Sequence, residues 1–157
     1  MIRIDDIRAY ILDTLPGVVE QETWGESAFF YNPGRRLPSG VYFLTIKHRD
    51  STNDHASKLS ADGTFRVNLG LPKKEYIRLF GPTPARPAKG GCVETGHDFL
   101  WRDRLTPHPV YAWMGWVAIA GMTAPTFDKL KPQIVLAYEH ARVRFDKRVS
   151  RETRPSA

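Results

Sequence analysis

An α+β domain is predicted, with a mainly antiparallel sheet flanked by an N-terminal helix, a middle helix and a long C-terminal helix. Three patterns carry this expectation. Apolar residues recur at helical spacing at both ends of the chain, strand-like runs occupy the middle, and the early strands lie close enough in sequence for hairpin connections.

The first helix is written by Ile4, Ile7, Ile11 and Leu15, with Asp5 and Asp6 at the positive end of its dipole and Pro16-Gly17 as its stop. A polar stretch and Trp24-Gly25 precede Ala28-Phe29-Phe30-Tyr31, a short strand closed by the turn residues Asn32-Pro33-Gly34. Val41 to Lys47 carries β-branched and aromatic residues on both faces and reads as a central strand. His48 to Gly63 is polar and reads as a loop with a helical turn near Ala56 to Leu59. From Thr64 to Leu71 the alternation is regular. Phe65, Val67, Leu69 and Leu71 share one face, and Arg66, Asn68 and Gly70 share the other. Arg66 and Asn68 either line a pocket beside Trp24 or Tyr31 or form the solvent face of a half-exposed sheet.

Pro72 opens a helix over Lys73 to Phe80 that Gly81 stops. Pro82 to Pro109 holds five of the twelve prolines and no regular pattern, and loops of this length are usually functional or mobile. Trp116 to Ala120 returns as a strand. A final helix runs from a Thr126 cap to about Arg148 on Phe127, Leu130, Ile134, Tyr138, Ala141 and Phe145, with a kink or restart expected near Pro132. The expected layout is one domain over residues 1–148 and a basic, disordered tail over residues 149–157.

The 157 residues are 41% hydrophobic and 11% aromatic, a globular composition with enough apolar material for a core. The longest apolar run, Val41 to Ile46, is too short to span a bilayer, and the N-terminus has no apolar signal core; we expect no membrane association and a cytoplasmic location. Cys92 is the sole cysteine, which excludes an internal disulfide and a Cys-rich zinc site, and it reads as an incidental loop thiol. The formal charge of +6 is concentrated at the C-terminal end. There Arg142, Arg144, Lys147, Arg148, Arg151 and Arg154 face only Asp146 and Glu152, so the folded body is close to balance.

Chemistry is densest between Gly96 and Pro109. His97, Asp98, Asp103 and His108 are candidate acids, bases or ligands there, and the flanking prolines restrict the backbone of His108. The spacing matches no zinc signature. The plainer alternative has Asp98 and Asp103 capping turns while His108 packs under the Trp116 strand. Asp50, Asn53, Asp54 and His55 form a second polar cluster that lacks the calcium-loop pattern and reads as solvated loop. No phosphate-binding glycine loop or nucleophile elbow is present, and we expect no metal and no cofactor. Trp101, Trp113 and Trp116 either stack bases among Arg102 and Arg104 or pack as core aromatics.

Several segments run in a familiar order: Leu15-Pro16-Gly17-Val18-Val19, Trp24-Gly25, Phe65-Arg66-Val67-Asn68-Leu69-Gly70, Leu79-Phe80-Gly81, Pro107-His108-Pro109-Val110-Tyr111-Ala112 and Gly115-Trp116-Val117. Together they resemble an actinobacterial family catalogued as a domain of unknown function, over about residues 4–145. The stretch from Pro82 to Thr95 departs from it in length and charge. More remotely, the element order is similar to the MmcQ/YjbR group, which implies a small α+β fold and a DNA-binding label given by fold analogy.

Two functions are expected from these observations. One is a non-enzymatic module that binds a small ligand through Trp24, Tyr31, Arg66, Asn68 and His108, or binds nucleic acid weakly through Arg142, Arg144, Lys147 and Arg148. The other is a small cofactor-independent enzyme of specialised metabolism, with His108 as acid or base and Asp98 or Asp103 orienting it. The oligomeric state is not legible.

Overall fold

The computed structural model describes residues 2–152. Helix α1, Ile4–Thr14, leads into strands β1, Val18–Thr23, β2, Glu26–Tyr31, and β3, Val41–Lys47. The short helix α2, Leu59–Asp62, precedes β4, Arg66–Gly70, and helix α3, Lys73–Phe80. A long irregular segment then brings β5, Thr106–Pro107, followed by β6, Trp116–Ala120, and helix α4, Ala124–Glu152. The strands form one sheet in the order β1-β2-β3-β4-β6-β5, antiparallel at every pairing. This is the α+β architecture that the sequence patterns predict.

Two strands lie outside the expected set, and both are edges. β1 is only partly buried along its length, so its Val-Val-Glu-Gln-Glu-Thr sequence lacks the apolar alternation of a covered strand. β5 has two residues, too few for any periodicity. At the C-terminus, α4 starts before Thr126: the Thr123 carbonyl accepts the Phe127 amide, and the Thr123 hydroxyl reaches Thr126 Oγ1 at 3.1 Å. Pro132 removes one intrahelical donor, yet α4 does not restart there as expected. Residues 149–152, expected to be tail, continue α4. The remainder of that expected tail lies outside the described residues. No helix among the described residues is long and apolar enough to cross a membrane.

The core lies between α4 and one face of the sheet. Phe127, Leu130, Ile134, Tyr138, Ala141 and Phe145 are buried on α4, and the row Phe29, Leu44, Leu69, Val117 runs in register across β2, β3, β4 and β6. Burying side chains of this size contributes about 1.5–3 kcal/mol each. The β2–β3 register slips between Phe29 and Phe30, leaving Phe43 as an extra residue on β3. Phe43 thereby meets Tyr138 edge-on, and Tyr42 pairs with Phe30 on the opposite face. Helix α1 lies beside α4 through an edge contact between Tyr10 and Phe127. The Tyr138 hydroxyl donates to the Pro16 carbonyl at the end of that helix.

The other face is unlike the first. Directly paired residues of an antiparallel ladder point the same way, so Gln21, Ala28, Thr45, Asn68, Ala118 and Thr106 make one row across all six strands. Lys47, Arg66 and Ala120 make the next. The row is small or polar, yet Arg66 and Asn68 are 1% and 0% exposed. The solvent-face alternative for these two residues therefore fails. Two segments cover them: residues 48–63, where Asp54 and Ser57 are buried, and the end of the long irregular segment, where His108 is buried. The Asp50 carboxylate accepts the Leu59 and Ser60 amides at 2.9 and 3.4 Å and so caps α2. Among the described residues no group of three or more His, Cys, Asp or Glu is placed to hold a metal ion.

Gly70 ends β4 beneath the Trp116 indole. A Cβ there would stand 2.8 Å from Trp116 Cε2 and Cζ2, so no side chain fits unless the indole moves. Gly70→Ala is expected to destabilise the fold by about 1–3 kcal/mol through overpacking, read as a lower urea midpoint with an unchanged denaturant slope.

Candidate ligand-binding site

Arg66 organises the covered face. Both terminal nitrogens of its guanidinium donate to the Asp54 carboxylate, Nη1 to Oδ1 at 3.0 Å and Nη2 to Oδ2. Nη1 also donates to Ser57 Oγ at 2.9 Å, and Nε donates to Asn68 Oδ1 at 2.7 Å. That last bond fixes the Asn68 amide, whose Nδ2 donates to Thr45 Oγ1 at 2.9 Å and Glu26 Oε1 at 3.2 Å. The Thr45 hydroxyl completes the chain by donating to the same Glu26 oxygen at 3.1 Å. Burial pushes the Asp54 carboxyl up, but the charge and hydrogen bonds of Arg66 outweigh it and hold the group below its ordinary range. Glu26 moves the other way: burial raises it despite the nearby Lys47, the Thr45 bond and Arg66.

His108 is held by its own turn. Its Nδ1 accepts the Val110 and Tyr111 amides, each at 3.0 Å. The single proton of the neutral ring therefore belongs on Nε2, which sits 3.2 Å from Arg66 Nη2 and 3.9 Å from Asp54 Oδ2. Burial first, then the positive charge of Arg66, push its pKa down to about 3. The ring is neutral throughout the physiological range.

Above this network lies a cleft of about 290 Å³. Its floor is Glu26, Thr45 and His108, and its walls are Trp24, Tyr42, Trp116 and Tyr111. Glu26, Tyr42, Thr45 and Trp116 reach it from strands of the sheet, while Tyr111 and His108 come from the turn between β5 and β6. Trp24 comes from the two-residue turn between β1 and β2, where Thr23 pairs with Glu26. Trp24 and Gly25 both have positive φ, 53° and 72°. Hairpins of this kind favour Asn-Gly or Gly-Gly at these positions, and a bulky residue at positive φ is strained. Trp24 is nevertheless 62% exposed.

The candidate residues are thus partly gathered and partly dispersed. Trp24 and His108 line the cleft, and Arg66 and Asn68 lie under its floor, with Asn68, fixed by Arg66, holding Glu26 and Thr45 in place. Tyr31 is elsewhere. Alternation along β2 puts it on the helix-facing side, edge-on to Tyr138 and Phe145. Asp98 and Asp103 engage their own surroundings and not His108. Asp98 accepts the Leu100 amide at 2.9 Å, and Asp103 accepts the Thr123 amide at 2.7 Å and its hydroxyl at 3.0 Å. The carboxylate nearest His108 is instead Asp54, from the segment expected to be solvated. His97 packs against Phe80 and Trp101, with Nδ1 at 2.9 Å from Thr95 Oγ1. Arg104 stacks on Trp101 at 3.8 Å. On α4, Arg142 pairs with Glu139, Arg148 donates to the Gly40 carbonyl at 3.2 Å, Arg144 lies beside Trp113 and Trp116, and Lys147 lies beside Asp146.

Glu26, Tyr42, Thr45 and Tyr111 were not singled out as site residues by sequence reasoning, and Trp116 was weighed only for base stacking or core packing. One signal was available for Glu26: it shares a strand face with Ala28, so a carboxylate sits beside a residue too small to cover it.

The fold and cleft define an α+β domain whose sheet is apolar toward its helices and polar toward a ligand-sized cavity. The chain belongs to a family of unknown function, DUF6194, whose model matches residues 2–150. No curated protein and no solved structure matches the chain significantly.

Two outcomes are expected from the buried network. Asp54→Asn leaves the Arg66 charge without its counter-ion and should cost about 3–5 kcal/mol of stability, measured by urea denaturation at neutral pH. His108 gives a pH signature. Its folded pKa lies below its unfolded value, so as pH falls below about 6.5 the unfolded chain takes up a proton that the native state refuses. Stability is complete above that pH and declines as pH falls toward 3, by up to about 1.4 kcal/mol per unit. His108→Gln should flatten the slope of unfolding free energy between pH 7 and 5 relative to the wild type.

Proposed function

We propose that this domain is a non-enzymatic binding module for a small organic ligand, held in the cleft between Trp24 and His108. The observation that carries this reading is Trp24. A large apolar ring stands on a turn that disfavours it, mostly exposed, at the mouth of a cavity with a half-buried carboxylate in its floor. Strain of this kind persists where a site requires it. The size of the cavity and its mix of aromatic wall and few polar groups suit a small molecule.

The acid–base alternative has less support. A ring with a pKa of about 3 is a poor base near neutrality, and its Nδ1 is occupied by two amides. Phosphate-backbone contact through α4 also has less support, because Arg142 and Arg148 are engaged within the chain and Arg144 lies on a different side of the helix from Arg142. The MmcQ/YjbR resemblance and an actinobacterial source stay part of this reading on motif order alone.

A screen of small-molecule fragments by thermal shift should give ligands that stabilise the wild-type chain. Trp24→Ala should abolish or sharply weaken those shifts while leaving the unliganded melting temperature within a few degrees, because Trp24 is largely exposed. Shifts that survive Trp24→Ala would place binding elsewhere.

A further inference from the structure

The ring geometry of the cleft says what shape of ligand it takes. Five rings follow one another around it, with neighbouring centroids 5.2 Å apart from Trp24 to Tyr42, 5.2 Å from Tyr42 to Trp116, 6.5 Å from Trp116 to His108 and 5.1 Å from His108 to Tyr111. Successive planes turn by 59°, 32°, 86° and 44°. No neighbouring pair makes the parallel slot that a flat heterocycle fills. The walls instead enclose a rounded body. Such an arc of inclined aromatic rings attracts positive charge through the ring quadrupoles.

The floor agrees in charge. Arg66 is neutralised by the bidentate Asp54 and His108 is neutral; the Lys47 charge lies near Glu26, but its Nζ donates to Ser51 Oγ at 3.0 Å and makes no ion pair with that carboxylate. Glu26 is the remaining acid of the floor and forms no ion pair among the described residues. Both of its hydrogen bonds fall on Oε1, so Oε2 keeps its acceptor capacity for a bound group. Glu26 is half-buried, so its carboxylate has lost part of its hydration, a loss that a bound cation would offset.

We propose that the cleft binds a compact organic cation of the quaternary-ammonium or alkylamine class, with the cation enclosed by Trp24, Tyr42, Trp116 and Tyr111 and its charge met by Glu26. This inference rests on the small-ligand reading above and names the ligand class. Glu26 supplies the charge and the rings supply the shape. Arg66 and Asn68 position Glu26 without touching the ligand.

The test is isothermal titration of the full chain with tetramethylammonium, choline and the neutral choline isostere 3,3-dimethylbutan-1-ol. The proposal expects saturable binding of at least one cation, with the isostere at least tenfold weaker. Glu26→Gln keeps the shape of the side chain and should weaken the cation at least tenfold while leaving the isostere unchanged. Trp24→Ala should weaken the cation on the order of tenfold. Far-UV circular dichroism and melting temperature check that both variants fold. If Glu26→Gln unfolds, the comparison of choline with its isostere on the wild-type chain decides alone. Equal affinity for choline and the isostere, or a cation affinity indifferent to Glu26→Gln, overturns the cation class and leaves the cleft as a site for neutral ligands. No binding of any of the three overturns the cation class as well, and the Trp24-dependent fragment shifts then decide separately whether the cleft binds anything.

Discussion

A full positive charge is buried at the start of a central strand, and the rest of this face is arranged around making it tolerable. Arg66 projects from a central strand into the layer between the sheet and its covering segments. Left alone, a charge there would cost several kcal/mol in lost hydration. Asp54, Ser57 and Asn68 answer four of its donor contacts, and those partners come from the segment over the sheet and from the strand itself. The guanidinium therefore pins residues 48–63 onto β4. Through Asn68 the same group sets the amide that orients Thr45 and Glu26, and its charge adds to burial in keeping the nearby His108 ring neutral. One interaction thus couples the cover, the floor of the cleft and its electrostatics.

The two faces of the sheet obey different physics as a result. Toward α1 and α4 the side chains are large and apolar, and packing there is shape-matching of aliphatic and aromatic groups. Toward the cover, Ala28, Ala118, Ala120 and Gly70 are small, and what binds the layers is a directional hydrogen-bond network centred on Arg66. Small residues on that face leave the volume in which an arginine, a histidine and a cavity coexist. The bulge at Phe43 matters to both sides, because it adds a ring to the helix side and places Tyr42 where it becomes a wall.

What the sequence revealed follows the range of the forces involved. Helix α3 and the core faces of α1 and α4 were legible because periodicity and caps act over a few residues. The edges β1 and β5 were not, since partial burial and a two-residue length leave no periodic mark. The even alternation of β4 gave the two faces correctly but not their environment. Arg66 and Asn68 on a strand face look the same in sequence whether water or Asp54 lies above them. Of the residues weighed from the sequence, Trp24 and His108 line the cleft, and Arg66 and Asn68 lie under its floor. Glu26 was missed because its significance depends on Thr45 and Asn68, 19 and 42 residues away along the chain. Tyr31 was misplaced by one step of the strand's two-residue period.

The cleft draws its seven lining residues from the first hairpin, the third strand, the turn before the last strand and the first residue of that strand. No continuous stretch of chain holds more than a fraction of it, so the unfolded polypeptide has essentially no affinity for an occupant. An occupant of the cleft would therefore act as a folding ligand, binding the native state and not the unfolded chain. An occupant present at about a hundred times its dissociation constant would add about 2.7 kcal/mol to the stability of the fold. For a domain of ordinary marginal stability, abundance would then follow the supply of the ligand, and the protein would report on its ligand by persisting.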